Sequence, residues 1–458
     1  MLIIIVAFLN LIVYYQMASM NKKEKHTREF GGGWVLPADQ MDYLRRYPYE
    51  YHASAGSVLE LLFLQRFWTW LVRYIPTSVA PCVLTCSGLI INIACCLIVV
   101  HYSPDARTEA PWWTFLLCAV GLFIYQTLDA MDGKQALKVQ NTQIEEVYDH
   151  GCDAVSTIFV VLAASIALQL GNAPFMMLVL FLSSMLAFFS THWQDHITHT
   201  MVFGKIDVSE VQFCIIIIHL LTSVFGQQVW QTEILPNIQI RHVIFAVAVI
   251  SVIQVLIVNI GYILGKKTPL DDFANIPRKK GPQIWNPVFP VIILILLTLK
   301  AYASGMFAVN CIVFILTFGF AYAKLTTKLV MTNVSRGDMD RWDGCLVAPL
   351  LLCVNAFLWL LPDHTALLCT LVYSLMDFAR YFTYASWDLR DALDLWIFSL
   401  KYPPGHPRCR NGNLGYYVNG LNNAEIKEMA HKQQHYMAGA GFASGMIHGK
   451  ACLSAFSH

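Results

Sequence analysis

Long apolar runs separated by short polar connections dominate the chain from about residue 80 to residue 385. Ten runs stand out, near 80–101, 111–131, 146–168, 174–193, 209–226, 242–264, 286–304, 306–330, 345–361 and 364–385. A helix of about 20 apolar residues crosses the hydrocarbon core of a bilayer. The pattern therefore predicts about ten transmembrane helices, the ninth a short one. The expected fold is all-α, a polytopic integral membrane helical bundle. The run 57–78 is of another kind. In SVLELLFLQRFWTWLVRY, Glu60, Arg66 and Arg73 interrupt the leucines, and Trp68 and Trp70 sit among them. Aromatic and basic residues on an apolar stripe suit an N-terminal amphipathic helix lying in the membrane interface. The charges make an eleventh span the weaker alternative.

These runs divide the chain. Residues 1–56 form an N-terminal segment, expected to be cytoplasmic apart from its apolar start. Residues 1–16 lack a basic leading region and a clean cleavage site, so they make a poor signal peptide. They are either a short membrane anchor or lie ahead of a start at Met17 or Met20. Residues 79–387 form the membrane domain. Residues 388–458 are turn-rich, as in PPGHPRCRNGNLGYYVNG, and are expected to be a mostly disordered cytoplasmic tail without chemistry.

Composition agrees with a membrane protein. Hydrophobic residues make up 56% of the chain, charged residues 13%, and mean hydropathy is +0.51. A net charge of +1 gives no reason to expect a nucleic-acid partner. Charge placement is more informative. With a cytoplasmic N-terminus, Arg107, Arg241 and Lys300 fall on the far side. Lys266, Lys267, Arg278, Lys279, Lys280, Arg336, Arg341 and Arg390 fall on the near side. This is the positive-inside pattern. The 13 cysteines contain no CxxC pair and lie mostly in apolar runs, as expected of small buried residues.

Against this background the run LDAMDGKQALKVQNTQIEEVYDHGCD is anomalous. A charged side chain at a membrane helix centre costs about 2.5–3.5 kcal/mol on insertion scales. This run brings Asp129, Asp132, Asp149 and Asp153 to the ends of two neighbouring apolar segments. Asp129 and Asp132 are three residues apart, Asp149 and Asp153 four apart, so each pair shares a helix face. Glu146 and His150 fall on the face of the second pair. A polar connection of about a dozen residues is expected between the two helices. Divalent metal relieves the repulsion of such a cluster, and a diphosphate is the common ligand of clustered metal. Solvated acids at helix ends are the plainer explanation, but they leave the one-face spacing on both helices unaccounted for.

At this run the sequence resembles the CDP-alcohol phosphotransferase family, whose pattern is D-x2-D-G-x2-A-R, eight or nine residues, then G-x3-D-x3-D. Here Asp129, Asp132, Gly133, Ala136, Asp149 and Asp153 fit. LDAMDGKQA, YDHGCDAVSTIF, GLFIYQTLDA, THWQ, FGKIDVSEVQ and ILTFGFAYAKLTTKLV are similar to its choline/ethanolamine phosphotransferase branch, and the likeness spans roughly 38–385. Three positions depart from the pattern. Leu137 replaces the Arg, Glu145 replaces the first Gly of the second half, and Cys82 follows Ala80-Pro81 where relatives carry Asn. The spacer is also one residue short.

The resemblance implies transfer of phosphocholine or phosphoethanolamine from CDP-choline or CDP-ethanolamine to diacylglycerol, with release of CMP. It implies two Mg²⁺ or Mn²⁺ ions on Asp129, Asp132, Asp149 and Asp153. The candidates for catalysis are His150, Glu146 and Asp153, as base directly or with Glu146 orienting His150. Gly133, Lys134, Ala136, Lys138, Glu145 and Cys82 are the candidate substrate-binding positions. A homodimer in the endoplasmic reticulum or Golgi membrane, with the site facing the cytoplasm, is also implied. His192, His196 and His199 are expected to serve structure or substrate access and not a third metal. Lys324, inside a span, is expected to face a polar cavity. The departures motivate a second reading, a catalytically impaired member acting as a metal- or nucleotide-binding or regulatory membrane protein. A transporter would need repeated halves, and the sequence has none.

Overall fold

The computed structural model describes residues 35–409, apart from 48, 50, 54–56, 58, 205–206, 269–277 and 405. The apolar start at 1–16 and the tail beyond 409 lie outside the described residues. The first helix is α1, Ala38–Arg46. A continuous helical stretch then runs from Glu60 to Tyr74, with α2, Gln65–Leu71, at its centre. The ten apolar runs all become helices: α3 Pro81–Tyr102, α4 Trp112–Val139, α5 Gln143–Ala167, α6 Pro174–Thr198, α7 Val208–Phe225, α8 Ile240–Ile263, α9 Val288–Ala303, α11 Cys311–Val334, α12 Val347–Leu358 and α13 Asp363–Leu393. A single turn, α10 Met306–Val309, precedes α11. The only strands among the described residues are a short antiparallel hairpin, Glu233–Leu235 with Ile238–Gln239.

The fold is the all-α polytopic bundle expected, with a lower count of full spans. Eight helical segments have the length and apolarity to cross a membrane: α3 to α8, Pro282–Ala303 with α9 in it, and α11. The other two fall short for different reasons. α12 has only 12 residues. α13 has 31, but Asp377 sits at its middle and Arg380, Asp388, Arg390 and Asp391 occupy its second half.

Burial orders the bundle. The apolar stretch of α11 is 94% buried and that of α5 is 83% buried, whereas that of α8 is 6% buried. α8 is apolar all round and lies outside the core, so its exposed Val247, Ile250 and Ile257 suit lipid contact. α11 passes close to α5 at Gly319, where an added Cβ would lie 2.8 Å from Ile158. α5 passes close to α13 at Gly151, where a Cβ would lie 2.8 Å from Phe382. A larger residue at either position would push α5, which carries Asp149 and Asp153, away from α11 or α13.

Charged connections gather at the two ends as the sequence pattern required. At one end Arg107 donates to the Gly171 carbonyl at 2.7 Å, and Arg241 donates to that of Gln169 at 3.3 Å. At the other, Lys279 bonds His196 at 3.2 Å and pairs with Asp338 at 3.0 Å.

The chain before the first span is strapped to this second end. The Val35 and Leu36 N–H groups donate to Asp388 Oδ2 at 2.8 and 3.0 Å. Ser335 Oγ donates to Gln40 Oε1 at 2.8 Å, and Met201 N to the His52 carbonyl at 2.8 Å. The Glu60–Tyr74 stretch is held to α7 by Leu59 N on Glu210 Oε1 at 2.9 Å and by the Ser209–Glu60 hydrogen bond. It buries Trp68 and exposes Phe63, Trp70 and Tyr74.

The disordered tail expected from residue 388 does not begin there. α13 continues to Leu393, and Asp388 is fully buried. Asp394 then collects Lys401, Tyr402 and Arg408, while Asn141 N donates to the Cys409 carbonyl at 2.9 Å. Turn-rich sequence here reflects a polar knot gathered on Asp394.

Candidate active site

The acidic run is almost entirely helical. The dozen-residue polar connection expected between the two helices does not exist, because α4 ends at Val139 and α5 begins at Gln143. KQALKVQ is made of good helix formers with no Pro or Gly to stop it, so α4 runs two turns past its acids. α5 then starts abruptly on a capping box. Thr142 is the N-cap, and Glu145 Oε2 accepts from Thr142 N at 2.8 Å and from its hydroxyl at 2.6 Å. The tight connection brings the two acid faces together.

Asp129, Asp132 and Asp149 offer ligand atoms within 4.8 Å of one another, and so do Asp149, His150 and Asp153. Asp149 belongs to both clusters. Two neutral donors steady the outer members. Thr85 of α3 donates to Asp132, and Tyr125 of α4 donates to Asp153. Asp129 Oδ1 is buried and has no hydrogen-bond partner. A carboxylate oxygen in that state is costly unless a cation completes it. Three carboxylates in one cluster, and two carboxylates with an imidazole in the other, fit divalent cations of the Mg²⁺ or Mn²⁺ kind.

The face of α5 turned toward α6 continues the site. His150 lies with its ring 4.7 Å from that of His192. Glu146, one turn earlier, is hydrogen-bonded to Tyr49 of the N-terminal strap and lies near His150 and Arg336. Beyond it Asn333 Nδ2 donates to Asp195 at 2.6 Å, and Asn333 Oδ1 meets His199 Nδ1 at 3.1 Å. Burial, then Arg336, pushes the His199 imidazole down to about 3. It is neutral at physiological pH.

Comparison with known proteins fits this geometry. Cholinephosphotransferase 1 of Danio rerio is 35% identical over 381 residues, 81% of this chain and 97% of that protein. The chain belongs to the CDP-alcohol phosphotransferase family. Cholinephosphotransferase 1 of Homo sapiens is 32% identical over 370 residues, 78% of this chain and 88% of that protein. An uncharacterized CDP-alcohol phosphatidyltransferase class-I family protein of Dictyostelium discoideum is 28% identical over 366 residues, 77% of this chain and 92% of that protein. No family model matches the sequence.

The positions where this family member departs from the pattern can now be located. Both carboxylate oxygens of Glu145 are engaged, by Thr142 and by Gln140 Nε2 at 2.8 Å. Leu137 is exposed on the outer side of α4. Cys82 is fully buried in the first turn of α3. Ala136 is buried, and Gly133 has nothing within 4 Å of an added Cβ, leaving open space beside Asp132.

Lys134 and Lys138 are turned away from the aspartates. Lys134 Nζ donates to Gln65 Oε1 at 2.6 Å, and Lys138 Nζ to the Val72 and Ile75 carbonyls at 2.9 and 3.2 Å. The Lys138 ammonium closes the C-terminal end of the Glu60–Tyr74 stretch, where free carbonyls attract cations, while Lys134 ties down its middle. Lys324 does not face an open polar cavity. It is locked between Asp343 at 2.6 Å and Asp377 at 2.5 Å.

Tyr49, Thr85, Tyr125, Asp195 and Asn333 were not singled out in the sequence, and Arg336 entered only as a near-side charge. The only signal was polarity inside or beside apolar runs, which Asp195 and Thr85 share with many structural residues.

Proposed function

We propose that the protein transfers phosphocholine or phosphoethanolamine from its CDP ester to diacylglycerol, giving phosphatidylcholine or phosphatidylethanolamine and CMP. The observation that carries this reading is the pair of overlapping clusters joined at Asp149, with the unpartnered Asp129 oxygen in one of them. The names of the relatives support the donor class.

Asp129, Asp132, Asp149 and Asp153 would hold two Mg²⁺ or Mn²⁺ ions, which when bound neutralise the diphosphate and the charge that develops on it. The remaining chemistry falls to this chain. The acceptor hydroxyl loses its proton to His150 as its oxygen forms a bond to the phosphorus bearing the headgroup. The bond from that phosphorus to the bridging oxygen breaks, and CMP leaves with the electron pair. Glu146, fixed by Tyr49, stabilises the imidazolium that results. Asp153 already accepts from Tyr125, which suits a ligand better than a base. Gly133 leaves room for the donor beside Asp132. Ala136 and Cys82 line the packing behind that space.

Two observations favour turnover over an impaired regulatory member. The extra charge of Glu145 is absorbed by a helix cap, and Leu137 is exposed, so neither departure displaces an aspartate. The site end carries the Lys279–Arg341 cations, which supports a cytoplasmic active site. We assign the enzyme to the endoplasmic reticulum membrane, with the Golgi as the other compartment the resemblance allows, and as a homodimer. The Glu60–Tyr74 stretch, with Phe63, Trp70 and Tyr74 outward, would lie in the membrane interface.

The test is CMP release by purified protein given diacylglycerol and either CDP-choline or CDP-ethanolamine, with and without Mg²⁺ or Mn²⁺. Metal-dependent CMP release, lost in the Asp149→Ala/Asp153→Ala double variant, supports the reading. Folded protein that releases no CMP from either donor refutes it.

A further inference from the structure

The Glu60–Tyr74 stretch carries its charges on one side. Phe63, Arg66, Trp70, Arg73 and Tyr74 are exposed. At 3.6 residues per turn they fall within roughly 100° of arc, on one outer face. Leu64, Trp68 and Val72 lie opposite and are buried. Leu64 and Trp68 pack there with Leu84 of α3 and with Met131 of α4, the residue before Asp132. The outer face thus presents two guanidinium groups among three aromatic rings, and no acid.

The acids near this face are engaged elsewhere. Glu60 is hydrogen-bonded to Ser209. Glu210 accepts from the Leu59 and Asp207 N–H groups, each at 2.9 Å. Asp207 accepts from those of Gly204 at 2.6 Å and Val208 at 2.8 Å. Neither Arg66 nor Arg73 pairs with a carboxylate among the described residues. The face is also held in place from behind. Lys134 and Lys138 anchor the stretch to α4, and Gln135 Nε2 donates to the Pro76 and Val79 carbonyls of its exit at 3.0 and 2.9 Å. All three anchors lie in the two turns of α4 that follow Asp132.

Eight segments of spanning length already hold the protein in the bilayer, so attachment does not require these cations. Aromatic rings suit the headgroup level of any phospholipid. Guanidinium groups without a partner suit phosphate and carboxylate oxygens. We propose that the outer face of the Glu60–Tyr74 stretch is a docking surface for anionic phospholipid headgroups, which Arg66 and Arg73 select over zwitterionic ones. The proposal rests on the interfacial placement of the stretch and is independent of the transfer reaction. Rings interleaved with cations match the boundary between headgroups and acyl chains, which favours lipid over an acidic protein segment. Each basic residue near the surface favours an anionic neighbour by about fivefold. The same stretch is bolted to the turns after Asp132, so lipid that sets its level in the leaflet also sets the level of the acids.

The experiment measures quenching of Trp70 in full-length protein reconstituted into phosphatidylcholine vesicles. A minor fraction of the lipid is brominated on its acyl chains near the headgroup, either as phosphatidylserine or as phosphatidylcholine at the same mole fraction. The Trp70 signal is the difference between wild type and Trp70→Phe. Brominated phosphatidylserine is expected to quench Trp70 about twofold or more strongly than brominated phosphatidylcholine, and the excess should fall as salt is raised. Arg66→Gln/Arg73→Gln should abolish the excess and keep the quenching by phosphatidylcholine, which shows that the stretch is still folded against the membrane. Arg66→Lys/Arg73→Lys keeps both charges and should retain most of the excess. Equal quenching by the two lipids in wild type, or an excess that survives Arg66→Gln/Arg73→Gln, would overturn the proposal. Trp70 quenched by neither lipid would refute the interfacial placement itself and leave an acidic protein segment as the partner of the face.

Discussion

Asp149→Asn is the substitution that separates a metal-built site from a cluster of buried acids. Asp149 is the one carboxylate common to both ligand clusters, and its neighbours' oxygens lie within 4.8 Å. Two unit charges at that distance interact by about 3.5 kcal/mol at an effective dielectric near 20. Asparagine keeps the shape and removes the charge from both clusters at once. If cations bind there, the loss of one such interaction in the transition state lowers turnover by about two to three orders of magnitude. In EDTA the sign reverses, because the same substitution removes a repulsion among uncompensated acids. Even about 1 kcal/mol of that relief raises the melting temperature by roughly 2–4 °C. The assay is CMP release at saturating donor and Mn²⁺, paired with thermal unfolding in EDTA. Asp132→Asn, confined to one cluster and already hydrogen-bonded by Thr85, should lose less activity. An Asp149→Asn protein that keeps a tenth of wild-type activity, or that melts below wild type in EDTA, would refute the reasoning.

Lys324→Met leaves Asp343 and Asp377 buried without their shared cation, and breaking such a pair costs about 3–5 kcal/mol. Thermal unfolding in detergent should show a large drop, and an unchanged melting temperature would mean the carboxylates are neutral. Burial alone would raise the Asp343 carboxyl, but Lys324 and then Lys328 outweigh it and hold it down to about 2. Its contribution of about 2 kcal/mol is therefore full above the ordinary carboxylate value and is lost as pH falls from about 4 toward 2. In Asp343→Asn the acid limb of a stability–pH curve should flatten over that window. Glu145→Gly, which restores the family residue, should cost about 1 kcal/mol of stability through the lost cap without improving turnover or the donor's KM. A rise in activity would return Glu145 to the nucleotide site. Lys134→Ala/Lys138→Ala should leave the donor KM within about twofold while speeding proteolysis near Glu60–Tyr74, as expected of structural anchors on exposed chain.

Much of the bundle was legible because lipid imposes one simple rule on the chain. Apolar length alone located all ten helices, and the spacing of the acids located the clusters that Asp149 joins. What failed depended on local partners. The α4–α5 connection looked like a loop because it was polar, yet polarity there serves a helix end and a capping box. Lys134 and Lys138 looked like phosphate ligands because they flank acids, yet in a helix neighbours in sequence point in different directions. The folded segment 388–409 looked disordered because turn residues resemble disorder until Asp394 gives them a common partner. Tyr49 and Asn333 were invisible, and Arg336 legible only as an orienting charge, for a different reason. They reach Glu146 and Asp195 from segments distant in sequence, and no spacing rule spans that distance.

The binding of Val35 and Leu36 to Asp388 has a consequence for biosynthesis. The strap is translated before any of the spans, but this anchor is translated after nearly all of α13. A nascent chain can bring its four aspartates together, and pair His52 with Met201 and Gln40 with Ser335, while the start of the strap still lacks its carboxylate. A transcript ending before Asp388 would give a protein that enters the membrane and retains the acids, yet leaves Val35 and Leu36 unanchored.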